Sequence, residues 1–245
     1  MRIYRADLHI HTVLSPCGDL TMSPANIIEE AVQKGIDIIG ITDHNSTRHC
    51  RLIKKMASEK GIYTMTGAEV TTREEVHCLA FFEKTDTLEL FQDFLDYHLA
   101  EIMNVPEIFG DQVVVDEDEM IVYTEEKLLT NALDVSIEQL EEFVHLNGGL
   151  FIPAHIDRLK NGIYGQLGLF PANLPADAIE VSGNVSKKEF VKNHEEISAL
   201  PIITSSDAHF PEQIGKVTTL FGINEPSFSE ISKAFKMEDG RRIAG

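Results

Sequence analysis

Asp7-Leu8-His9-Ile10-His11-Thr12 is the stretch on which the fold turns. Side chains alternate along a β-strand, so this segment, as the end of a strand over residues 3–10, sets Asp7, His9 and His11 on one face and apolar residues on the other. Two imidazoles so placed can share one ion. A lone His-x-His is more often a pair of polar core residues, so the reading depends on what else the chain brings to this strand end.

Further short apolar runs occur at residues 36–42, 62–68, 76–82, 150–154, 178–181 and 202–204, giving seven with the first. Most are continuously apolar or end in a polar residue, as strands covered by helices on both faces do. Helical patterns lie between them. Ser23-Pro24 forms a helix start and Gly35 its stop, while Ser136 with Gln139 and Ser186 with Glu189 read as capping boxes, the latter with a Val185/Phe190 staple. The alternation predicts parallel βα units in one α/β domain. One connection is far too long. After the fourth strand, residues 85–147 form an insertion with a helix over about 88–103, a hairpin over 113–123 tipped by Asp116 to Glu119, and a helix begun by Ser136; it is expected to be a lid or specificity segment.

Composition narrows the function. Hydrophobic content of 43% and charged content of 25% fit a globular chain, with no tract apolar enough to span a bilayer. No signal-peptide pattern opens the chain, so cytoplasmic residence is expected. Cys17, Cys50 and Cys78 are expected to be reduced thiols. Forty acidic against twenty-one basic residues leave a formal charge of −19, which should repel polyanions; a small phosphorylated substrate is expected and long nucleic acid is not.

The expected strand ends carry the chemistry. Thr42-Asp43-His44 closes the second run, Glu69 the third and His155 the fifth; His77 opens the fourth, and Ser206-Asp207-Ala208-His209 follows the seventh. Carboxylates and imidazoles converging on one barrel mouth are best satisfied by metal ions. Without thiolates the mixed set favours Zn, Mn or Fe, and it is too rich for a single ion, so two or three divalent ions are expected.

Together Asp7-Leu8-His9-Ile10-His11-Thr12, Ile41-Thr42-Asp43-His44-Asn45, Gly67-Ala68-Glu69, His77, Pro153-Ala154-His155 and Ser205-Ser206-Asp207-Ala208-His209 closely resemble the polymerase and histidinol phosphatase (PHP) domain of metal-dependent phosphoesterases. The resemblance implies a distorted (β/α)7 TIM-like barrel over residues 1–245, with the insertion after its fourth strand. It also implies a ligand set: His9, His11, Glu69 and Asp207 at one metal, and a bridging Glu69 with His77 and His155 at a second. His44 and His209 would hold a third metal with a residue from the loop after the first strand. Where several relatives carry a histidine in that loop this chain has Cys17, and Asp19 is the expected substitute.

His49, His98, His145 and His194 fall in or beside helical patterns and are set aside as surface or core imidazoles. Cys78 is expected in the core, and Asp43 behind the ligands. Arg158 is the first candidate phosphate contact, with Asn45, Lys187 and Lys188 behind it; a surface ion pair is the rival role for Arg158. The expected activity is hydrolysis of a small phosphate mono- or diester by metal-activated water, with Asp207 or His209 protonating the leaving group if the third metal is absent. Within that class histidinol-phosphate and nucleotide or oligonucleotide phosphoesterases are alternatives. A non-catalytic metal-binding module and an amidohydrolase are the alternatives outside it.

Overall fold

A computed structural model describes residues 1–244. In chain order the elements are β1 (Arg2–Ile10), α1 (Pro24–Gln33), β2 (Ile38–Ile41), α2 (Cys50–Glu59), β3 (Tyr63–Thr71), β4 (His77–Phe82), α3 (Thr85–His98), α4 (Pro106–Phe109), β5 (Val113–Val115), β6 (Ile121–Thr124), α5 (Ile137–Leu146), β7 (Leu150–Pro153), α6 (Ile163–Leu167), β8 (Ile179–Glu180), α7 (Lys187–Asn193), β9 (Ile202–Ile203), β10 (Thr219–Ile223), α8 (Phe228–Phe235) and β11 (Arg242–Ile243).

The main sheet runs β11-β10-β1-β2-β3-β4-β7, and β8 and β9 pair beside it. The curl closes through short links: Ile156 N–H donates to the Glu180 carbonyl, and the segment after β9 returns to β1 at the Ile10 and Ala208 bridge. Around the resulting distorted barrel stand the seven strands expected from the apolar runs. They are not all parallel. β4 is antiparallel to both β3 and β7. A five-residue turn, residues 72–76, joins β3 to β4, too short for a crossover helix, so the pair can only be a hairpin. Two strands went unread in the sequence. β10 pairs antiparallel with the first half of β1, from Arg2↔Ile223 to Ala6↔Thr219, and β11 extends that edge.

Apolar residues divide between two clusters. One packs α1, α2, α3 and α5 against the sheet; the other gathers Tyr4, Ala6, Leu8, Ile38 and Phe81 with Phe228, Ile231 and Phe235 of α8. Leu8 and Ile10 lie in different clusters, and the β1–β2 register slips between Asp7 and Ile10. Strict alternation therefore fails at the motif's centre, although the His9 and His11 rings still come within 5.2 Å of each other. Ser23 caps α1, and the Ser136 and Gln139 capping box on α5 forms, but Ser186 makes no capping bond on α7. Among the described residues no helix is long and apolar enough to cross a membrane.

The insertion holds α3, which ends at His98 because Leu99 turns extended, and the expected hairpin as β5 and β6. His49 fastens that hairpin to the barrel. It is fully buried: Thr12 Oγ1 donates to Asp43 and so accepts from His49 Nδ1 at 2.7 Å, leaving Nε2 to accept from Val115 N–H at 3.0 Å. Burial lowers its pKa, which suits this neutral tautomer. Replacing His49 strips the Val115 N–H of this acceptor and the Thr12 hydroxyl of one donor, so His49→Ala is expected to cost about 1–3 kcal/mol in urea unfolding, where a surface imidazole would cost almost nothing.

Candidate metal centre

At one mouth of the barrel, where β1, β2, β3 and β7 end and the antiparallel β4 begins, a single carboxylate gathers most of the expected ligands. Glu69, 1% exposed on β3, has Oε1 within 3.2 Å of His9 Nε2, 2.8 Å of His77 Nδ1 and 3.0 Å of His155 Nε2. Its Oε2 lies 3.1 Å from His44 Nδ1 and 3.4 Å from His11 Nε2. Asp207 Oδ1 approaches both His9 Nε2 and His11 Nε2 at 3.3 Å. The His209 ring stacks on His11 at 4.3 Å.

Buried partners behind the cluster fix which nitrogen of each ring faces it. His9 Nδ1 lies 3.1 Å from Glu180 Oε1, and a carboxylate can only accept, so Nδ1 bears the proton and Nε2 faces the cluster. Ser15 Oγ donates to Asp43 and therefore accepts from His11 Nδ1 at 3.0 Å, which leaves His11 Nε2 free as well. The two Nε2 atoms then stand 3.2 Å apart with carboxylate oxygens on either side. So many acceptors at one place need a cation or captured protons. His44 Nδ1 and His155 Nδ1 are buried without hydrogen-bond partners. These donors fit divalent metal ions: His9 Nε2, His11 Nε2 and Glu69 form one convergent group, and His44, Glu69 and His77 a second.

Without a cation the cluster answers its charge with protons. Burial opposes protonation of His9 and His11, but Glu180 for the first, and Asp207 with Glu69 for the second, raise both, His11 to about 9. Burial would raise Glu69 and Asp207, yet His77 and His9 hold Glu69 low, and His9 and His11 hold Asp207 low. Burial and the positive field of His11 take His209 down to about 4.

Backbone strain gathers here too. His155 (φ 26°), Asp207 (φ 52°) and Asn45 (φ 45°) occupy the left-handed region that non-glycine residues avoid, as residues at functional sites often do. Asp7 supports one of these turns, its Oδ1 accepting from Ser206 N–H and its Oδ2 from Gly215 N–H.

Two expectations change. Asp19 does not reach the cluster, because its Oδ1 accepts from Thr21 N–H and Oγ. Consecutive turns at Ser15 and Gly18 bring Cys17 instead, with Sγ 3.1 Å from His209 Nε2. Gly18 is needed there, since a Cβ would lie 2.5 Å from the Thr12 carbonyl oxygen. Asn45 is no free phosphate contact: its Nδ2 donates to the Leu129 and Asn131 carbonyls and its Oδ1 accepts from Thr71 N–H, tying the insertion to β3. Arg158, 41% exposed, lies at the mouth with Nη1 2.5 Å from Asp207 Oδ2. Glu180 went unread; its only signal is a lone carboxylate within the apolar run Ala178-Ile179-Glu180-Val181.

A curled barrel that gathers imidazoles and carboxylates at one mouth is an arrangement that metal-dependent hydrolases use. The chain belongs to the PHP domain family, whose pattern matches residues 7–160, and a PHP-associated pattern matches residues 196–239. It is 40% identical over 78 residues to the uncharacterized protein MJ1587 of Methanocaldococcus jannaschii, covering 29% of this chain and 46% of that one. It is 26% identical to the uncharacterized protein YqxK of Bacillus subtilis across 99% of this chain and 64% of that one. Among solved structures, the lesion-specific endonuclease Q of Pyrococcus furiosus superposes with a TM-score of 0.77 at 20% identity, over 99% of this chain and 58% of that one. The chain thus spans about half to two thirds of the length of these relatives. A further endonuclease Q structure, TM-score 0.78, holds a 27-mer duplex substrate with an abasic lesion at the active site. That complex overturns the exclusion of long nucleic acid on net charge: a protein that contains this fold binds duplex DNA, and a total over the whole surface does not describe the field at the mouth.

Glu180 offers a direct test of the tautomer argument. Glu180→Gln is expected to weaken divalent-ion affinity by about 10–100-fold through loss of the carboxylate behind His9, measured by competition with a chromophoric chelator. Affinity equal to the parent's would show that Glu180 does not orient His9.

Proposed function

We propose that the chain is a phosphoesterase whose cluster holds two or three divalent ions and hydrolyses a phosphate ester. The observation that supports this reading is the facing pair of His9 and His11 Nε2 atoms, 3.2 Å apart beside Glu69 and Asp207, an arrangement of acceptors suited to an ion. Ions bound there would lower the pKa of water from about 15.7 towards ~7 and offset phosphoryl charge. His9, His11, His44, Glu69, His77, His155 and Asp207 would hold them, with Glu69 placed to bridge.

The remaining groups shape and orient. Arg158, Lys160 and Asn161 line a cavity of about 180 Å³ over the cluster, large enough for a phosphoryl group. One Arg158 nitrogen is engaged by Asp207, and the rest of its guanidinium can donate to phosphate oxygens. A neighbouring cavity of about 360 Å³, lined by Thr130, Asn131 and Ala132 of the insertion with Lys160 and Asn161, would take the esterified group, which gives the insertion its role in specificity. Asp207, kept ionised, serves in this reading as a ligand. His209 Nδ1 donates to the Asp207 carbonyl at 2.9 Å, so Nε2 presents a lone pair and His209 is a ligand or proton acceptor in preference to a general acid.

A second reading rests on the endonuclease Q likeness: the ester is a DNA backbone phosphodiester next to a lesion. One screen separates the two, using metal-loaded protein against aryl phosphomonoesters, aryl phosphodiesters and a duplex with one abasic site. Turnover of a small ester with the duplex left intact favours the first; nicking of the duplex favours the second. Glu69→Ala is expected to abolish turnover and strip at least two ions together, read by elemental analysis, and His9→Ala to abolish turnover. Full activity in either variant would end the proposal.

A further inference from the structure

Resting on the reading that the cluster holds ions, we propose that Cys17 is a thiolate ligand, and that with His209, His44 and His11 it forms a sulfur-containing position selective for zinc. Cys17, His11, His44 and His209 each present a ligand atom within 4.8 Å of the others. Cys17 and His209 belong to this group alone, whereas His11 and His44 also face Glu69. This separates the position from the carboxylate-bridged part of the cluster.

The hydrogen bonding already outlines the site. His209 Nδ1–H is committed to a carbonyl, so the 3.1 Å contact between its Nε2 and Cys17 Sγ can only be a thiol S–H donating to the nitrogen lone pair. Replacing that proton with an ion needs little movement, since the sulfur and nitrogen ligands of a tetrahedral zinc lie roughly 3.5 Å apart. Independently, His44 is 5% exposed and its Nδ1 lacks a hydrogen-bond partner, approaching Glu69 Oε2 at 3.1 Å without the alignment of a bond. A buried imidazole left short of a partner in this group points to an ion. One thiolate among imidazoles is a soft donor set, which favours Zn over Mn or Mg, and the thiol proton is released to solvent as the ion binds.

The other two cysteines make the test clean. Cys50 and Cys78 are buried and Cys17 alone is exposed, so a thiol reagent applied to the folded protein reports on Cys17. Metal-free protein is titrated with Co²⁺ while absorbance is followed, and thiol modification is timed with and without saturating Zn²⁺. A near-ultraviolet thiolate-to-cobalt charge-transfer band is expected in the parent and in Asp19→Asn, and is lost in Cys17→Ser and His209→Gln; zinc slows thiol modification several-fold. Elemental analysis distinguishes the failures. Ions bound around Glu69, with no such band and an unprotected thiol, would overturn this inference alone. No bound ion of any kind would overturn it together with the reading on which it rests.

Discussion

A buried carboxylate encircled by five imidazoles is the constraint around which the molecule is arranged. Glu69 lies in a place where neither solvent nor a single cationic side chain can balance it, so His9, His11, His44, His77 and His155 must all arrive from other segments. Such a centre tolerates little positional error, because an imidazole that rotates away leaves a polar atom buried without a partner. The barrel supplies this precision by placing these side chains on or beside β1, β3 and β4 and in turns leaving β2, β7 and β9.

Behind the ligands stands a ring of groups whose work is orientation. Glu180 holds His9, Ser15 and Asp43 hold His11, and Asp7 supports the turn bearing Asp207. The insertion is built into the same framework, since Asn45 fastens its loop and His49 its hairpin. Residues that looked like substrate contacts or bystanders are therefore the mortar between barrel and insertion.

The sequence disclosed the barrel through period and composition: the seven apolar runs match the strands of the closed curl, and the strand-end histidines foretold where the cluster lies. What stayed hidden depended on tertiary geometry. Strand direction at β4 follows from how short the turn after β3 is, and the His49 partners come from segments remote in sequence. Cys17 and Asp19 are two positions apart in one loop, and only the turns through Ser15 and Gly18 decide which reaches His209. Net charge misled for a related reason: it sums the whole surface, whereas binding responds to the local field.

The hydrogen bond from Ser206 N–H to Asp7 spans 199 positions of the chain. The centre thus joins the two ends of a long loop, and loop-closure entropy makes such contacts slow to form. An ion bound across them would act as a clasp on the native topology, adding stability as its concentration rises above its dissociation constant. During synthesis the strand bearing His9 and His11 must wait for the segment carrying Ser206 and Asp207 to emerge before the centre is complete, so an ion bound by both would be captured only after all the intervening strands have been made.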